Sequence, residues 1–190
     1  MPGSADSIRK PIFATCGGWL TFATMRNEIS GRPVASFLMV CLGNICRSPL
    51  AEGILRHKAQ QAGLDWEIDS AGTNGYHIGE APHTLSQKVG RLRGIDISRQ
   101  RARKFTAGDF DRYDKIYAMA EDVLDEMKRI AGKKFDANKV DLLLNEVYPG
   151  ENREVPDPWS GPQSGYEEVF DLIDRAADKI ITNQQTHESK

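Results

Sequence analysis

The stretch from Val40 to Glu52, VCLGNICRSPLAE, sets Cys41 at the end of an apolar run and Arg47 six positions later, just before a helix-starting Ser-Pro. Between them lie Leu42, Gly43, Asn44, Ile45 and Cys46, enough chain to curl around a tetrahedral oxyanion and bring Arg47 back over it. In such a curl the backbone N–H groups point inward, and with the positive end of the following helix they form an anion nest. Gly43 is expected to take the positive φ of the tight curl. Arg47 can add a planar, two-pronged pair of hydrogen bonds to phosphate oxygens, a geometry lysine cannot copy. The same positive field favours the thiolate of Cys41, the nucleophilic form. Ser48 is placed to donate its hydroxyl to the sulfur and assist its departure, and Asn44 to brace the loop by bonding backbone or Ser48. The segment therefore reads as a nucleophile at the floor of a phosphate cradle.

Three blander readings compete. A lone cysteine at a strand end is more often a small buried hydrophobe, but the Arg and Gly companions at this spacing argue against that. A zinc site using Cys41, Cys46 and His57 lacks a second ligand pair. A nucleotide-binding P-loop would need the Lys of G-x-x-x-x-G-K-[ST], which is missing.

The elements around the loop must hold it in place. FLMVC from Phe37 is an apolar run of buried-strand length. SPLAEGILRHKAQQAG follows as a helix, with Ser48 as its N-cap, Pro49 at its first helical position and Gly63 as its stop. WEIDSAG gives a second strand and is followed by the polar TNGYHIGEAP, a helix from about His83 to Arg93, the strand DKIYAMA and a helix from about Glu121 to Ile130. KVDLLL gives a fourth strand, and GYEEVFDLIDRAADKIITNQ a closing amphipathic helix. Strands alternating with helices imply an α/β fold, a four-stranded parallel sheet with helices on both faces. Ligands bind such sheets beyond the carboxyl ends of the strands, where Cys41 falls.

Composition narrows the function classes. A chain of 190 residues, 39% apolar, has the size of one domain. A formal net charge of −2 with dispersed Lys and Arg gives no footprint for nucleic acid. Three cysteines form no disulfide framework and suit a reducing, cytoplasmic setting. Residues 1–35 are expected to be a poorly ordered extension. Their uncharged run PIFATCGGWLTFATM imitates a signal peptide weakly and is too short to span a bilayer, and Met25 is a candidate alternative start. The expected division is thus 1–35 as extension, 36–184 as the working domain and 185–190 as a tail, with no membrane partner. Cys16 is assigned no role.

With C-x5-R-S at its centre, the segment VCLGNICRSPLAE resembles the signature of the low-molecular-weight protein tyrosine phosphatases. The likeness runs from about Ser36 to about Gln184 and takes in DSAGTNGYHIGEAP and PDPW. It implies hydrolysis of phosphotyrosine and aryl phosphates through a phosphocysteine on Cys41. The loop from Leu42 to Ser48 would bind phosphate, and Asp157, in the D-P-aromatic motif, would be the acid. Read alone, Asp157 between Pro156 and Pro158 is an ordinary Asx turn. Beside a phosphate cradle it acquires a purpose, because a phenol leaving as phenolate needs a proton. Tyr76 and Trp159 match positions that flank the phenol ring, the alternative for each being packing at the edge of the core. Cys46 is expected to capture oxidised Cys41 as a disulfide, the alternative again being packing. The chemistry asks for no metal or organic cofactor, and the implied partners are phosphotyrosyl proteins, a tyrosine kinase among them.

The chain departs from that pattern in places. Gln100 stands where bacterial members often have a His, weakening the expected support of Asn44 and Ser48. Ala120 and Val123 stand where many members carry Asp and Asn, leaving Glu121 or Asp122 as substitute acids for Arg47. Three other functions share parts of the pattern. Arsenate reductase on this fold needs downstream cysteines, and none follows Cys46. A phosphotyrosine-binding module would be expected to have lost Cys41 or Asp157, and a phosphocarrier would not need the arginine clamp.

Overall fold

The structure is a computed structural model that describes the backbone of residues 35–188 and side chains to residue 184. The expectations for residues 1–34, Cys16 among them, lie outside the described residues; Ala35, expected to end the extension, instead opens the first strand.

Strands β1 (Ala35–Cys41), β2 (Trp66–Gly72), β3 (Lys115–Ala118) and β4 (Val140–Leu142) form one parallel sheet in the order β2-β1-β3-β4. Helices α1 (Arg47–Gln61), α2 (Thr84–Leu92), the single turn α3 (Asp109–Arg112), α4 (Glu121–Ala131) and α5 (Gln163–Glu188) connect and follow them. Two 3₁₀ turns, Gly132–Lys134 and Leu143–Glu146, flank β4. Neither they nor α3 has a signal in the sequence pattern. Helix α5 continues through Glu188, past the boundary expected at residue 184.

The uninterrupted apolar run of β1 follows from its central position. Phe37, Met39 and Cys41 point into a core shared with Leu50 and Ile54 of α1 and with Val169 and Ile173 of α5. Leu38 and Val40 point to the opposite core, against Phe105, Val123 and Met127. A strand covered on both faces cannot alternate apolar with polar residues. Helix α1 is enclosed too, since every residue from Arg47 to Leu55 is buried.

Because β1 is followed on one side by β2 and on the other by β3, the chain changes direction around β1. That leaves a crevice at the carboxyl ends of β1 and β3. Cys41 is the last residue of β1, and Val155 N–H donates to Met119 O just past β3 at 2.8 Å. Two segments distant in sequence thus meet at one end of the sheet.

Two local expectations are corrected. Ser48 is not the N-cap of α1 and Pro49 is not its first residue: Cys46 occupies the cap with no side-chain bond, the helix starts at Arg47, and Ser48 and Pro49 lie inside the first turn, the Ser48 hydroxyl being used elsewhere. The positive φ in the loop falls on Asn44 (φ 56), not on Gly43. Asparagine tolerates the left-handed region, and here three hydrogen bonds of its amide hold it there.

Candidate active site

The loop between β1 and α1 closes on the Cys41 sulfur. Asn44 N–H donates to Cys41 Sγ at 3.2 Å, and Ser48 Oγ lies 3.0 Å from it. Asn44 Nδ2 donates to Ser48 Oγ at 2.9 Å and to Ser70 Oγ at 2.8 Å, and Asn44 Oδ1 accepts Arg103 N–H at 2.9 Å. With a lone pair of Ser48 taken by Asn44, the Ser48 hydrogen has two acceptors in reach, the Cys41 sulfur at 3.0 Å and Ala71 O at 3.4 Å. Ser70 donates in turn to Glu52 Oε2 at 2.6 Å, and Arg56 holds Glu52 Oε1 at 2.6 Å. A buried chain therefore runs Glu52, Ser70, Asn44, Ser48, Cys41. Burial raises the pKa of the Glu52 carboxyl above its ordinary value, a shift opposed by its bonds to Ser70 and Arg56.

Gly72 explains how the loop fits so closely over β2. A Cβ there would lie 2.9 Å from Asn44 N, Gly43 C and Leu42 O, all backbone, so any side chain would lift the loop. Helix α1 carries no acidic residue in its first turn, which leaves its positive end uncompensated.

Arg47, buried, donates from Nη2 to Asp157 Oδ2 at 2.7 Å and from Nη1 to Val155 O at 3.3 Å. The other oxygen of Asp157 accepts Trp159 N–H at 3.1 Å, so the Asx turn read from the sequence is present beside the ion pair. Neither Glu121 nor Asp122 is the substitute acid for Arg47: both are exposed, and the carboxylate on Arg47 is that of Asp157. Gln100 gives Asn44 no support either. Its Oε1 is buried without a partner, and the work expected of it is done by Ser70 and the Arg103 amide.

Cys41, Leu42, Gly43, Ile45, Cys46 and Arg47 line one cavity of about 290 Å³ together with Asn74, Tyr76, His77, Asp157 and Trp159. Every residue expected at the site except Asn44 and Ser48 lines it, and those two sit behind the loop as braces. Tyr76 and Trp159 are both exposed at its mouth, which removes the packing alternative for Tyr76; Trp159 leans on His77 and His83 at ring distances of 5.6 and 5.3 Å.

Cys41 and Cys46 are both free thiols. Burial pushes Cys46 up to about 12. Its sulfur lies 3.8 Å from Tyr166 Oη, which is 2.9 Å from His83 Nδ1. His83 Nδ1 also accepts Leu85 N–H at 3.4 Å, and Trp159 O is a further acceptor 3.4 Å from the Tyr166 hydroxyl, which can also donate to the Cys46 sulfur in its thiolate form.

The model for low molecular weight phosphotyrosine protein phosphatases matches residues 36–190. The chain belongs to that family. It is 38% identical over 152 residues to the low molecular weight protein-tyrosine-phosphatase YfkJ of Bacillus subtilis, spanning 79% of this chain and 96% of that one. It is 36% identical over 137 residues to the human low molecular weight phosphotyrosine protein phosphatase, 71% of this chain and 86% of the relative. The crystal structure of YfkJ superposes with a TM-score of 0.74 at 37% identity, covering 80% of this chain and 96% of that one. A protein tyrosine phosphatase from Entamoeba histolytica, solved with Hepes in its active site, gives 0.73 at 32% identity over 81% and 99%.

For a phosphatase of this family, the sequence left several supporting residues unmarked. Ser70 and Gly72 close the strand β2 beside the crevice, a placement that offered a signal. Glu52 is the one acid among the buried residues of α1, which offered another. The Tyr166–His83 pair had none, because 83 positions separate the two.

Proposed function

We propose that this protein hydrolyses phosphotyrosine in proteins, and aryl phosphates generally, through a phosphocysteine on Cys41. The observation that carries the reading is the convergence on one small cavity of a thiol held by Ser48 and the Asn44 amide with the Arg47–Asp157 pair.

The Cys41 thiolate attacks phosphorus as the bond to the tyrosyl oxygen breaks, and Asp157, which takes up a proton from solvent once Arg47 has left it, gives that proton to the oxygen. Arg47 leaves Asp157 to clamp two phosphoryl oxygens, and the loop amides take the charge spread over the group. Asp157, now a carboxylate, withdraws a proton from water, whose oxygen attacks phosphorus and breaks the S–P bond. Ser48 O–H steadies the departing sulfur. Tyr76 and Trp159 flank the phenol ring, and two aromatic walls above the Cys41 thiol favour phosphotyrosine, which has a ring to place between them, over phosphoserine, which has none.

Cys46 is assigned to capture Cys41 after oxidation. Peroxide converts the thiolate to a sulfenic acid, and the Cys46 sulfur attacks it to form a disulfide, releasing water. A reducing compartment returns both thiols, which suits the cytoplasm; among the described residues no helix is long and apolar enough to cross a membrane. The partners are phosphotyrosyl proteins, and a tyrosine kinase must supply them.

The test is turnover of p-nitrophenyl phosphate and phosphotyrosine by purified protein, beside arsenate with a thiol reductant. Hydrolysis lost in Cys41→Ser, with vanadate still bound, supports the reading. Arsenate reduction without phosphatase activity overturns it.

A further inference from the structure

The catalytic cavity has a neighbour. A second, open cavity of about 470 Å³ is lined by Leu42, Thr73, Asn74, Gly75, Tyr76, Lys104 and Glu126. Leu42, Asn74 and Tyr76 line both cavities, so the exposed Tyr76 ring is a partition between them. The far wall of the second is formed by Lys104 and Glu126. The Lys104 stem passes beside Gly75, its Cδ lying 3.9 Å from where a Cβ there would stand. Glu126 is held by Arg129 through two nitrogens.

The surface around this pair is unusually apolar. Among the described residues, the exposed large apolar side chains are Leu42, Tyr76, Ile78, Trp159 and Leu92, and all but Leu92 belong to the mouth of the two cavities or to the loop that separates them. Tyr76 is 85% exposed and Leu42 44%. Neither fills a core, so the solvation cost of leaving them out is not offset by packing within this chain.

We propose that the second cavity is a subsite for the polypeptide on either side of the phosphotyrosine, and that it seats one large apolar side chain of that segment. The proposal rests on the phosphotyrosine reading of the first cavity. The occupant follows from continuity. A phosphotyrosine in the first cavity leaves its own main chain at the rim formed by Leu42 and Tyr76, and the next concave surface beyond that rim is this one. A leucine- or methionine-sized side chain packed between Leu42, the outer face of Tyr76 and the Lys104 stem would cover the apolar area that the free protein exposes. The subsite therefore selects among phosphotyrosyl proteins by an apolar neighbour of the modified tyrosine, and small aryl phosphates do not use it.

The experiment uses the full chain and a set of phosphotyrosyl peptides in which a single leucine is walked from one side of the phosphotyrosine to the other in a glycine-serine background. At one position the leucine should raise kcat/KM about tenfold over the leucine-free peptide, the effect of burying most of one such side chain. Glu126→Trp, which fills the cavity from its far wall, should abolish that gain and leave p-nitrophenyl phosphate and the leucine-free peptide unchanged. Binding of the same peptides to Cys41→Ser decides the point without turnover. A leucine preference there, removed by Glu126→Trp, supports the subsite even if hydrolysis fails. Equal kcat/KM and equal binding for every peptide, or a gain that survives Glu126→Trp, overturns the subsite. Failure to turn over p-nitrophenyl phosphate counts instead against the phosphatase reading.

Discussion

Arg47 and Asp157 are bonded to each other, Nη2 to Oδ2 at 2.7 Å, across 110 positions of sequence. The clamp for the phosphate and the acid for the leaving oxygen are thus each other's partners before substrate arrives. Substrate must exchange one pair for another, since Asp157 delivers a proton only after Arg47 has turned to the phosphoryl oxygens.

Asp157→Asn should separate substrates by leaving group. Phosphotyrosine turnover is expected to fall on the order of 10²- to 10⁴-fold, the usual worth of a positioned acid. Aryl phosphates whose phenols depart readily should lose far less, and vanadate should bind at least as well, because Arg47 no longer has a carboxylate to leave. Steady-state kinetics across a series of substituted phenyl phosphates checks this; a uniform loss would make Asp157 structural.

Arg47→Lys should lower kcat/KM by roughly 10²-fold or more, although charge is conserved. One ammonium cannot supply the paired donors or reach both Asp157 and Val155 O as the guanidinium does. Near-normal kinetics would rule out the two-pronged clamp.

Glu52 should show itself in the pH dependence of stability. Its native pKa is raised above its ordinary value near 4.5, so across the window between those two values the native state holds more proton than the unfolded chain. Stability then falls as pH rises through that window. Urea unfolding of Glu52→Gln should show a flatter slope there. Ser70→Ala, which leaves Glu52 and Asn44 each short of a buried partner, should cost about 1–3 kcal/mol and lower kcat with little change in KM. An unchanged slope in Glu52→Gln would mean that the carboxyl does not titrate differently on folding.

Cys46 should respond to its hydroxyl partner. The Tyr166 bond lowers the Cys46 pKa against the larger effect of burial. Tyr166→Phe should therefore leave a more reluctant thiol. After a peroxide pulse, dithiothreitol should restore wild-type activity, restore Tyr166→Phe less and Cys46→Ser least. Equal recovery of all three would leave Cys46 with packing alone.

What the sequence determined by itself is what lies close together along the chain. The strand ending in Cys41, the five-residue loop, Arg47 and the helix behind it are contiguous, so their spacing alone fixes a thiol, an anion nest and a guanidinium within reach of one another. The alternation of apolar runs also fixed the four parallel strands, since each needs a helix to return. Tertiary structure decided whatever depends on which strands are neighbours and on the space left between them. It put Asp157 on Arg47 because Val155 joins the chain beyond β3 beside Cys41. It gave the bracing of Asn44 to Ser70 and Arg103 rather than Gln100. It moved the positive φ from Gly43 to Asn44, whose amide had those bonds to make, and it required Gly72 because loop and strand touch there backbone to backbone. Such pairings arise from sheet order and close packing between segments far apart in sequence, and no local pattern of residues encodes them.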